Sequence, residues 1–288
     1  MINKIKQSKL LRLIPDKTYL KIKYRLAMKK KLNLKNPRTY NEKLQWLKLY
    51  DRKEIYTTMV DKYEAKKYVS KKIGKEYIIP TLGIYNTYKE INFEELPEQF
   101  VIKPTHTSGD VYICKDKSKI NHKELEKTIK NWLKRKYFWC HREWPYKNVK
   151  PRIIIEKYMV DESGYELKDY KFFAFDGKVK AMFIATDRTS KEETCFDFYD
   201  EKFNHLPLKN GHPNAKKKIL KPENFDKMIK LAEKLSKNIP HVRVDFYNIN
   251  GKIYFGEMTF YHWSGLIPFD PEEWDYKFGD YIKIERNN

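Results

Sequence analysis

The sequence predicts an α+β fold built on antiparallel or mixed sheets. Three observations lead there. Helical and strand-like segments intermix along the chain, with several hairpins among them. Two of those hairpins close on tight turns, Asp176-Gly177 and Asn250-Gly251, the dipeptides that fold strands back on themselves. The chain is 288 residues long with 15% aromatics, enough for a large core in one unit or in two or three subdomains, and too aromatic for a disordered chain.

The elements follow in order. Residues 1–35 hold twelve Lys/Arg and one acid, Asp16, interleaved with Ile, Leu, Tyr and Met. This predicts a basic helical arm. Asn36-Pro-Arg-Thr-Tyr-Asn-Glu-Lys opens a helix, with Thr39 or Asn41 as N-cap and Leu44, Leu47 and Leu49 among its apolar positions. Val60 to Val69 reads as another helix, and Gly74 closes that region. Tyr77 to Tyr85 holds a short strand and its exit. Phe93 to Pro97 is a connection. Phe100-Val-Ile-Lys-Pro is a buried strand stopped by proline, Thr105 to Asp110 a small-residue loop, and Val111 to Cys114 the returning strand. Asn121 to Tyr137 is helical and Arg152-Ile-Ile-Ile-Glu156 is an apolar strand. Tyr170 to Phe175 and Lys178 to Ile184 form a hairpin. Phe225 to Ser236 is a helix. His241 to Tyr247 and Lys252 to Thr259 form the last hairpin. The expected domain order is 1–35, the arm; 36–98, a helical and α/β region; 99–160, a small subdomain with the loop; and 161–288, a large subdomain.

Net charge is +21, from 60 Lys+Arg against 39 Asp+Glu. Such an excess points to anionic company. The arm suits an anionic membrane surface; it suits equally a solvated helix packed on the main body. Nothing resembles a helix-turn-helix, a zinc finger or an RNA-binding aromatic motif, so only charge speaks for nucleic acid. Cys114, Cys140 and Cys195 are odd in number and far apart, without metal-ligand spacing, which argues against structural zinc and a disulfide framework. The start lacks a signal-peptide core and no apolar run approaches transmembrane length. These features predict a cytoplasmic protein, peripheral on the inner membrane face if the arm docks there.

The chemistry concentrates in the last hairpin. Asp245 and Glu257 lie on its two strands with Arg243 beside them. Two carboxylates on rigid strands can hold a hard cation, while the cation and the guanidinium neutralise phosphate oxygens. A hairpin with two chance acids would look the same in isolation. Lys103 ends an apolar strand, where an unpartnered ammonium is costly to bury; it makes sense reaching a phosphate or snorkelling to solvent. The Thr107, Ser108, Gly109 loop offers backbone amides that can close over phosphates, without the Gly-x-x-x-x-Gly-Lys-Ser/Thr or Gly-x-Gly-x-x-Gly signatures. Glu156, followed by Tyr158 and Met159, ends a strand where backbone atoms could meet an adenine edge, or where the strand simply reaches the surface. Asp169 and Lys171 offer an acid for a ribose hydroxyl and a cation for phosphate or carboxylate, or a surface ion pair.

Taken in order, these segments resemble the ATP-grasp superfamily, and more closely its TupA-like branch of bacterial surface-polysaccharide (teichuronopeptide-type) proteins. The resemblance runs from about Asn36 to Trp274. It is carried by Asn36-Pro-Arg-Thr-Tyr-Asn-Glu-Lys, Asp61-Lys62, Asp169-Tyr-Lys-Phe-Phe, Val242-Arg-Val-Asp-Phe-Tyr and Phe255-Gly-Glu-Met-Thr-Phe-Tyr. The late blocks are the more specific. The resemblance implies two α+β subdomains gripping ATP. It carries over Lys103 to adenine and the α-phosphate, Thr107, Ser108 and Gly109 to the mobile phosphate loop, and Glu156 with the Tyr158 and Met159 backbone to the adenine hinge. Asp169 or Glu166 matches the ribose acid, Asp245 and Glu257 the Mg²⁺ ligands, and Arg243 the basic residue near the transferred phosphate. Thr259 stands where most of the superfamily has an Asn ligand, and Tyr261-His-Trp-Ser-Gly replaces the usual Pro-Gly before Ser-Gly. The substrate side is therefore where this chain departs.

The expected activity is an ATP- and Mg²⁺-dependent carboxylate–amine ligase of surface-glycan biosynthesis. Arg243 and Lys171 would act in catalysis on an acidic small molecule or glycan and an amine, the acid free or lipid-linked. The alternatives are a kinase of a sugar or small molecule on the same frame, a glycosyltransferase, whose expected Asp-x-Asp is missing, and a non-catalytic glycan- or membrane-binding protein.

Overall fold

The computed structural model describes residues 9–161, 164, 167–186 and 193–284. In chain order the helices are α1 (Asp16–Met28), α2 (Tyr40–Tyr50), α3 (Ile55–Val60), α4 (Glu64–Ile73), α5 (His122–Lys134), α6 (Phe138–His141), α7 (Phe225–Ser236) and α8 (Glu273–Tyr281). The strands are β1 (Thr81–Tyr85), β2 (Phe100–Pro104), β3 (Tyr112–Cys114), β4 (Ile153–Lys157), β5 (Asp169–Phe175), β6 (Lys178–Thr186), β7 (Cys195–Tyr199), β8 (Val242–Ile249) and β9 (Lys252–Thr259). The chain forms two compact units, Met1–Arg52 with Val160–Asn288, and Lys53–Met159.

The Lys53–Met159 unit is a four-stranded sheet in the order β1-β4-β2-β3, antiparallel throughout. Strand alternation sorts its side chains. Phe100, Ile102, Ile153 and Ile155 point to one face and pack with Leu125, Ile129 and Trp132 of α5. Val101, Lys103, Ile154 and Glu156 therefore share the other face. Asn121 caps α5 by accepting the Glu124 N–H at 3.1 Å. One expectation is corrected here: the helix expected at Val60 to Val69 is broken. α3 ends at Val60, and the Asp61 carboxylate accepts the Tyr63 and Glu64 N–H groups at 2.8 and 3.2 Å. The same carboxylate pairs with Arg152 at 2.9 Å. That Asx-type capping stops one helix and starts α4, which runs on to Gly74, left-handed at φ 127°.

The other unit is a five-stranded antiparallel sheet, β7-β6-β5-β8-β9. Every residue of β5 is buried. Phe172 and Phe246 face α7, where Phe172 packs on Phe225. On the opposite face, Phe173 and Phe175 lie under α2 and α8. Tyr40, fully buried, sits there in edge contact with Phe173, His241, Phe269 and Phe278. Its hydroxyl donates to His241 Nε2 at 2.9 Å, while His241 Nδ1–H donates to the Ala174 carbonyl at 3.1 Å. Burial, with the nearby Arg243 charge, holds the His241 pKa down to about 3, so the ring is neutral. α2 carries a full capping box: Thr39 accepts the Glu42 N–H, and Glu42 accepts the Thr39 N–H.

The basic segment packs on this unit. Tyr19, Leu20 and Tyr24 of α1 form a small core with Leu32 and Leu266. Among the described residues, no helix is long and apolar enough to cross a membrane.

Candidate active site

The register of three neighbouring strands builds a row of charge. Lys171 on β5 stands opposite Asp245 on β8, and Asp245 opposite Glu257 on β9. Two residues along, Arg243 stands opposite Thr259. With a side-chain period of two, Asp169, Lys171, Arg243, Asp245, Glu257 and Thr259 all project from one face. This is the face whose other half is the aromatic cluster around Phe173.

Asp245 is the hub and is fully buried. Arg243 grips it bidentately, Nε to Oδ1 and Nη2 to Oδ2, each at 2.7 Å. Lys171 donates to Oδ2 at 2.5 Å and lies 3.3 Å from Asp169 Oδ1. Burial pushes the Asp245 carboxyl up, but the two cations outweigh it and hold it below the ordinary carboxylate range. The same burial lowers Lys171, in part offset by Asp245. Glu257 is held loosely: Arg243 Nη2 reaches it at 3.4 Å and the Thr259 hydroxyl donates to it at 3.3 Å. Its side chain is 35% exposed, against 1% for Asp245. Glu257 is thus the carboxylate of the row that faces solvent.

The remaining guanidinium N–H explains His262, which sequence reasoning left open. Arg243 Nη1 donates to His262 Nδ1 at 2.6 Å. A guanidinium cannot accept, so Nδ1 is the acceptor, the proton sits on Nε2, and Nε2–H donates to Asn210 Oδ1 at 2.9 Å. Burial and the Arg243 and Lys171 charges hold this histidine neutral, well below its ordinary pKa. The chain leaves it through three consecutive left-handed residues, Trp263, Ser264 and Gly265. Fully buried Gln45 and Lys48 of α2 support that turn. Gln45 Nε2 donates to the Ser264 and Gly265 carbonyls at 2.9 and 2.8 Å, and Lys48 Nζ to the Ser264 carbonyl at 2.8 Å. The detectable signal was Lys48 itself, one residue after Leu47 and four after Leu44, on the apolar stripe of its helix.

A second charged cluster lies in the Lys53–Met159 unit. Lys103 Nζ donates to Glu156 Oε2 at 2.8 Å, and Lys66 of α4 pairs with Oε1 of the same carboxylate. Lys66 also donates to the Ile79 carbonyl and Thr81 Oγ1 at 2.8 and 2.9 Å. Burial raises the Glu156 carboxyl, yet Lys103 and Lys66 prevail and hold it at about 2. The loop after β2 is well anchored. Thr107 is fully buried, its hydroxyl donating to Asp110 at 2.7 Å, and its carbonyl is bound by Lys62. Arg135 holds Asp110 at 2.5 Å. Thr105, His106 and Thr107 are buried, and the loop meets solvent from Ser108 through left-handed Gly109 to Val111. Tyr158 and Met159 follow β4, half-buried. Glu166 lies outside the described residues. Asp169, the other ribose candidate, is buried at the start of β5.

For a magnesium ion the available donors are hard oxygens: the Asp245 and Glu257 carboxylates with the Thr259 hydroxyl. Among the described residues no group of three or more His, Cys, Asp or Glu is placed to hold a metal. Glu257 and the Thr259 hydroxyl are open to an ion that takes its other ligands from water and phosphate; both Asp245 oxygens are held by Arg243 and Lys171, so Asp245 would join them only by giving up one of those bonds. A cavity of about 340 Å³ in the same unit, lined by Tyr24, Arg38, Glu42, Glu272, Asp275 and Tyr276, lies among α1, α2 and α8 instead. Its Glu42 and Asp275 carboxylates are occupied by backbone N–H groups of the α2 start, so the strand row, where cations and carboxylates converge, is the better seat for chemistry.

Solved structures resemble the chain only distantly. A D-alanine–D-alanine ligase from Bacillus anthracis complexed with ATP is 20% identical, covering 78% of this chain and 65% of that one, with a TM-score of 0.45. In its other structure the chain spans 57% of that ligase, so in both it falls short of two thirds of the ligase's length. The Helicobacter pylori D-alanine–D-alanine ligase is 17% identical, covering 85% and 69%, with a TM-score of 0.45. The D-cycloserine synthetase DcsG is 13% identical, covering 80% and 72%, at 0.42. Among curated proteins none matches significantly. The profile described as TupA-like ATPgrasp matches residues 42–283, a span that contains most of α2, both charged clusters and the His262 turn, and the chain belongs to that family.

Proposed function

We propose that this protein is an ATP- and Mg²⁺-dependent carboxylate–amine ligase of bacterial surface-polysaccharide biosynthesis. The observation that carries the reading is the Lys171–Asp245–Glu257 row with Arg243 clamped on it. Two buried cations lie beside a buried carboxylate and a solvent-facing one, in a family built to use ATP. The reaction runs in two steps. A substrate carboxylate attacks the γ-phosphorus of ATP, the bond to the β,γ-bridging oxygen breaks, and ADP leaves. An amine then attacks the acyl phosphate, loses a proton, and yields the amide and inorganic phosphate.

Each residue takes a role suited to its surroundings. Arg243 and Lys171 neutralise the transferring phosphoryl oxygens from fixed, water-poor positions, where such charges act most strongly. Glu257, Asp245 and Thr259 would hold Mg²⁺, which when bound spreads charge over the β- and γ-phosphates. Lys103 and the Thr107, Ser108, Gly109 tip would bind phosphates, and the Tyr158 and Met159 backbone the adenine edge. Glu156 keeps Lys103 in place, and Asp169 is the described candidate for a ribose hydroxyl. His262 orients Arg243 and stays neutral. No side chain has to act as a covalent nucleophile. The +21 charge suits an acidic acceptor, free or lipid-linked.

The test uses an acceptor acid labelled with ¹⁸O in its carboxylate. Ligation through an acyl phosphate moves one label into inorganic phosphate, and ADP release requires both acid and amine. ADP without an amine requirement and with a stable phosphorylated product would make the protein a kinase. UDP release from a nucleotide sugar would make it a transferase.

A further inference from the structure

We infer that the outer face of α1 docks on an anionic lipid bilayer. The helix is two-sided. Tyr19, Leu20 and Tyr24 are buried against the body, so its position is set by packing. On the solvent side Ile22 and Leu26, one turn apart, are 48% and 64% exposed, and Leu13, just before the helix, is 80% exposed. Isolated exposed apolar residues are ordinary. Here the pair shares its face with cations: exposed Lys21 and Arg25 lie within one turn of Ile22 and Leu26 on the helix, and exposed Lys29 follows as the helix C-cap, left-handed at φ 58°. The one acid of the helix, Asp16, is consumed by Arg52 at 3.0 Å, away from this face. An apolar ridge flanked by basic side chains matches a lipid interface: the ridge enters the acyl boundary while the cations meet anionic headgroups. A second protein surface would have to supply both an apolar groove and an acidic rim.

The inference deepens the lipid-linked acceptor named in the proposed function, and it rests on that reading only for its purpose. Docking itself is read without ATP or acceptor, so it can fail while the ligase reading stands, and the reverse.

The experiment is vesicle flotation of the full chain, with phosphatidylcholine alone or mixed with phosphatidylglycerol. Binding is expected only to the mixed vesicles and should weaken as salt rises. Each cation near the surface is worth about fivefold in partitioning. Lys21→Gln, Arg25→Gln and Lys29→Gln together should therefore weaken binding on the order of a hundredfold. Ile22→Ser with Leu26→Ser should weaken it by about tenfold or more. Both variants should melt with the wild type, because the side chains are exposed. Failure to bind the mixed vesicles, or binding that neither variant alters, overturns the inference. So does a wild-type dimer in light scattering that the Ile22/Leu26 variant turns into monomer, since that assigns the face to a second copy of the chain.

Discussion

Asp245 and Glu257 sit opposite each other across β8 and β9, yet their replacement should have contrary consequences. Asp245→Asn keeps shape and removes a buried charge that answers two cations. The carboxylate is fully buried and receives three charge-assisted bonds, two at 2.7 Å from Arg243 and one at 2.5 Å from Lys171. Breaking a buried pair and leaving its partner uncompensated costs about 3–5 kcal/mol. For a unit of this size each kcal/mol moves the melting temperature by about 2–4 °C, so a fall on the order of 10 °C is expected. Glu257→Gln loses only the 3.4 Å contact with Arg243, on a side chain 35% exposed. Solvent screens such a pair, and the change should be about 0.5 kcal/mol or less. On the proposed chemistry the same Glu257→Gln nonetheless abolishes turnover, with the loss in kcat. Differential scanning calorimetry and the coupled ADP assay on the two variants form the experiment. An Asp245→Asn protein melting within about 2 °C of wild type would refute the clamp. A Glu257→Gln protein that unfolds as early as Asp245→Asn would show that the two carboxylates are one structural unit, and near-normal turnover in it would remove Glu257 as a metal ligand.

Other outcomes follow from single contacts. His241 is neutral with its pKa near 3, against an ordinary 6.5; the unfolded chain binds the proton first, so stability is full above pH 6.5 and falls toward pH 3, by up to about 1.4 kcal/mol per pH unit. His241→Phe should flatten that slope in urea titrations at pH 7 and pH 5, whatever it does to stability at neutral pH. Glu156 has the depressed carboxyl, about 2 against 4.5, so its contribution is present above pH 4.5 and lost as pH falls toward 2. Lys66→Met, which leaves Glu156, the Ile79 carbonyl and Thr81 short of a donor, should cost about 2 kcal/mol in denaturant unfolding. Gly279→Ala should cost about 3 kcal/mol by the same measure, because a Cβ there would collide with the Arg38 carbonyl and crowd the Thr39–Tyr40 peptide.

The parts of this architecture that were legible before any coordinates are those in which a local pattern has a single physical meaning. The Asn250-Gly251 turn could only fold β8 onto β9, and alternation then put Arg243, Asp245, Glu257 and Thr259 on one face. The start of α2 was legible as Thr39 or Asn41, and the structure settles on Thr39, whose reciprocal bond with Glu42 completes a capping box. The Val60–Val69 helix was misread because Asp61 acts through its side chain on the next turn's amides, a choice its pairing with Arg152 from β4's entry reinforces. β7 and α8 went unread: Cys195–Tyr199 is an outer strand recognisable only by its pairing with β6, and α8 carries mixed aromatic and charged residues whose packing partner, α2, lies more than two hundred residues earlier. Lys66 was invisible for a like reason, and His262 was legible only as a departure from the usual Pro-Gly, without its role. A lysine in a helix rich in lysines, or a histidine after a tyrosine, acquires meaning only when the fold brings Glu156 or Arg243 to it.

Arg243 links the two halves of the sheet face, and this bears on how the site can both persist and work. On one side its Nη1 is held by neutral His262, whose ring stands edge-on to Phe173 in the aromatic cluster. On the other, its Nε and Nη2 grip Asp245. The guanidinium is thus anchored by packing at one end while the other end meets anionic oxygens. Two features keep that arrangement tolerant of exchange. His262 carries no charge, so nothing on the aromatic side competes for an incoming anion. Lys171 supplies a second cation, so Asp245 need not lose all compensation if Arg243 turns part of its fork to phosphate. A protonated His262 would undo this by placing a third cation against Arg243, and burial with the two existing charges prevents it. On the proposed chemistry the clamp is formed in folding, and the exchange left for phosphoryl transfer is the turn of part of Arg243's fork from Asp245 to phosphate while Lys171 still holds Asp245, so the charges meet the transferring group from positions set in advance.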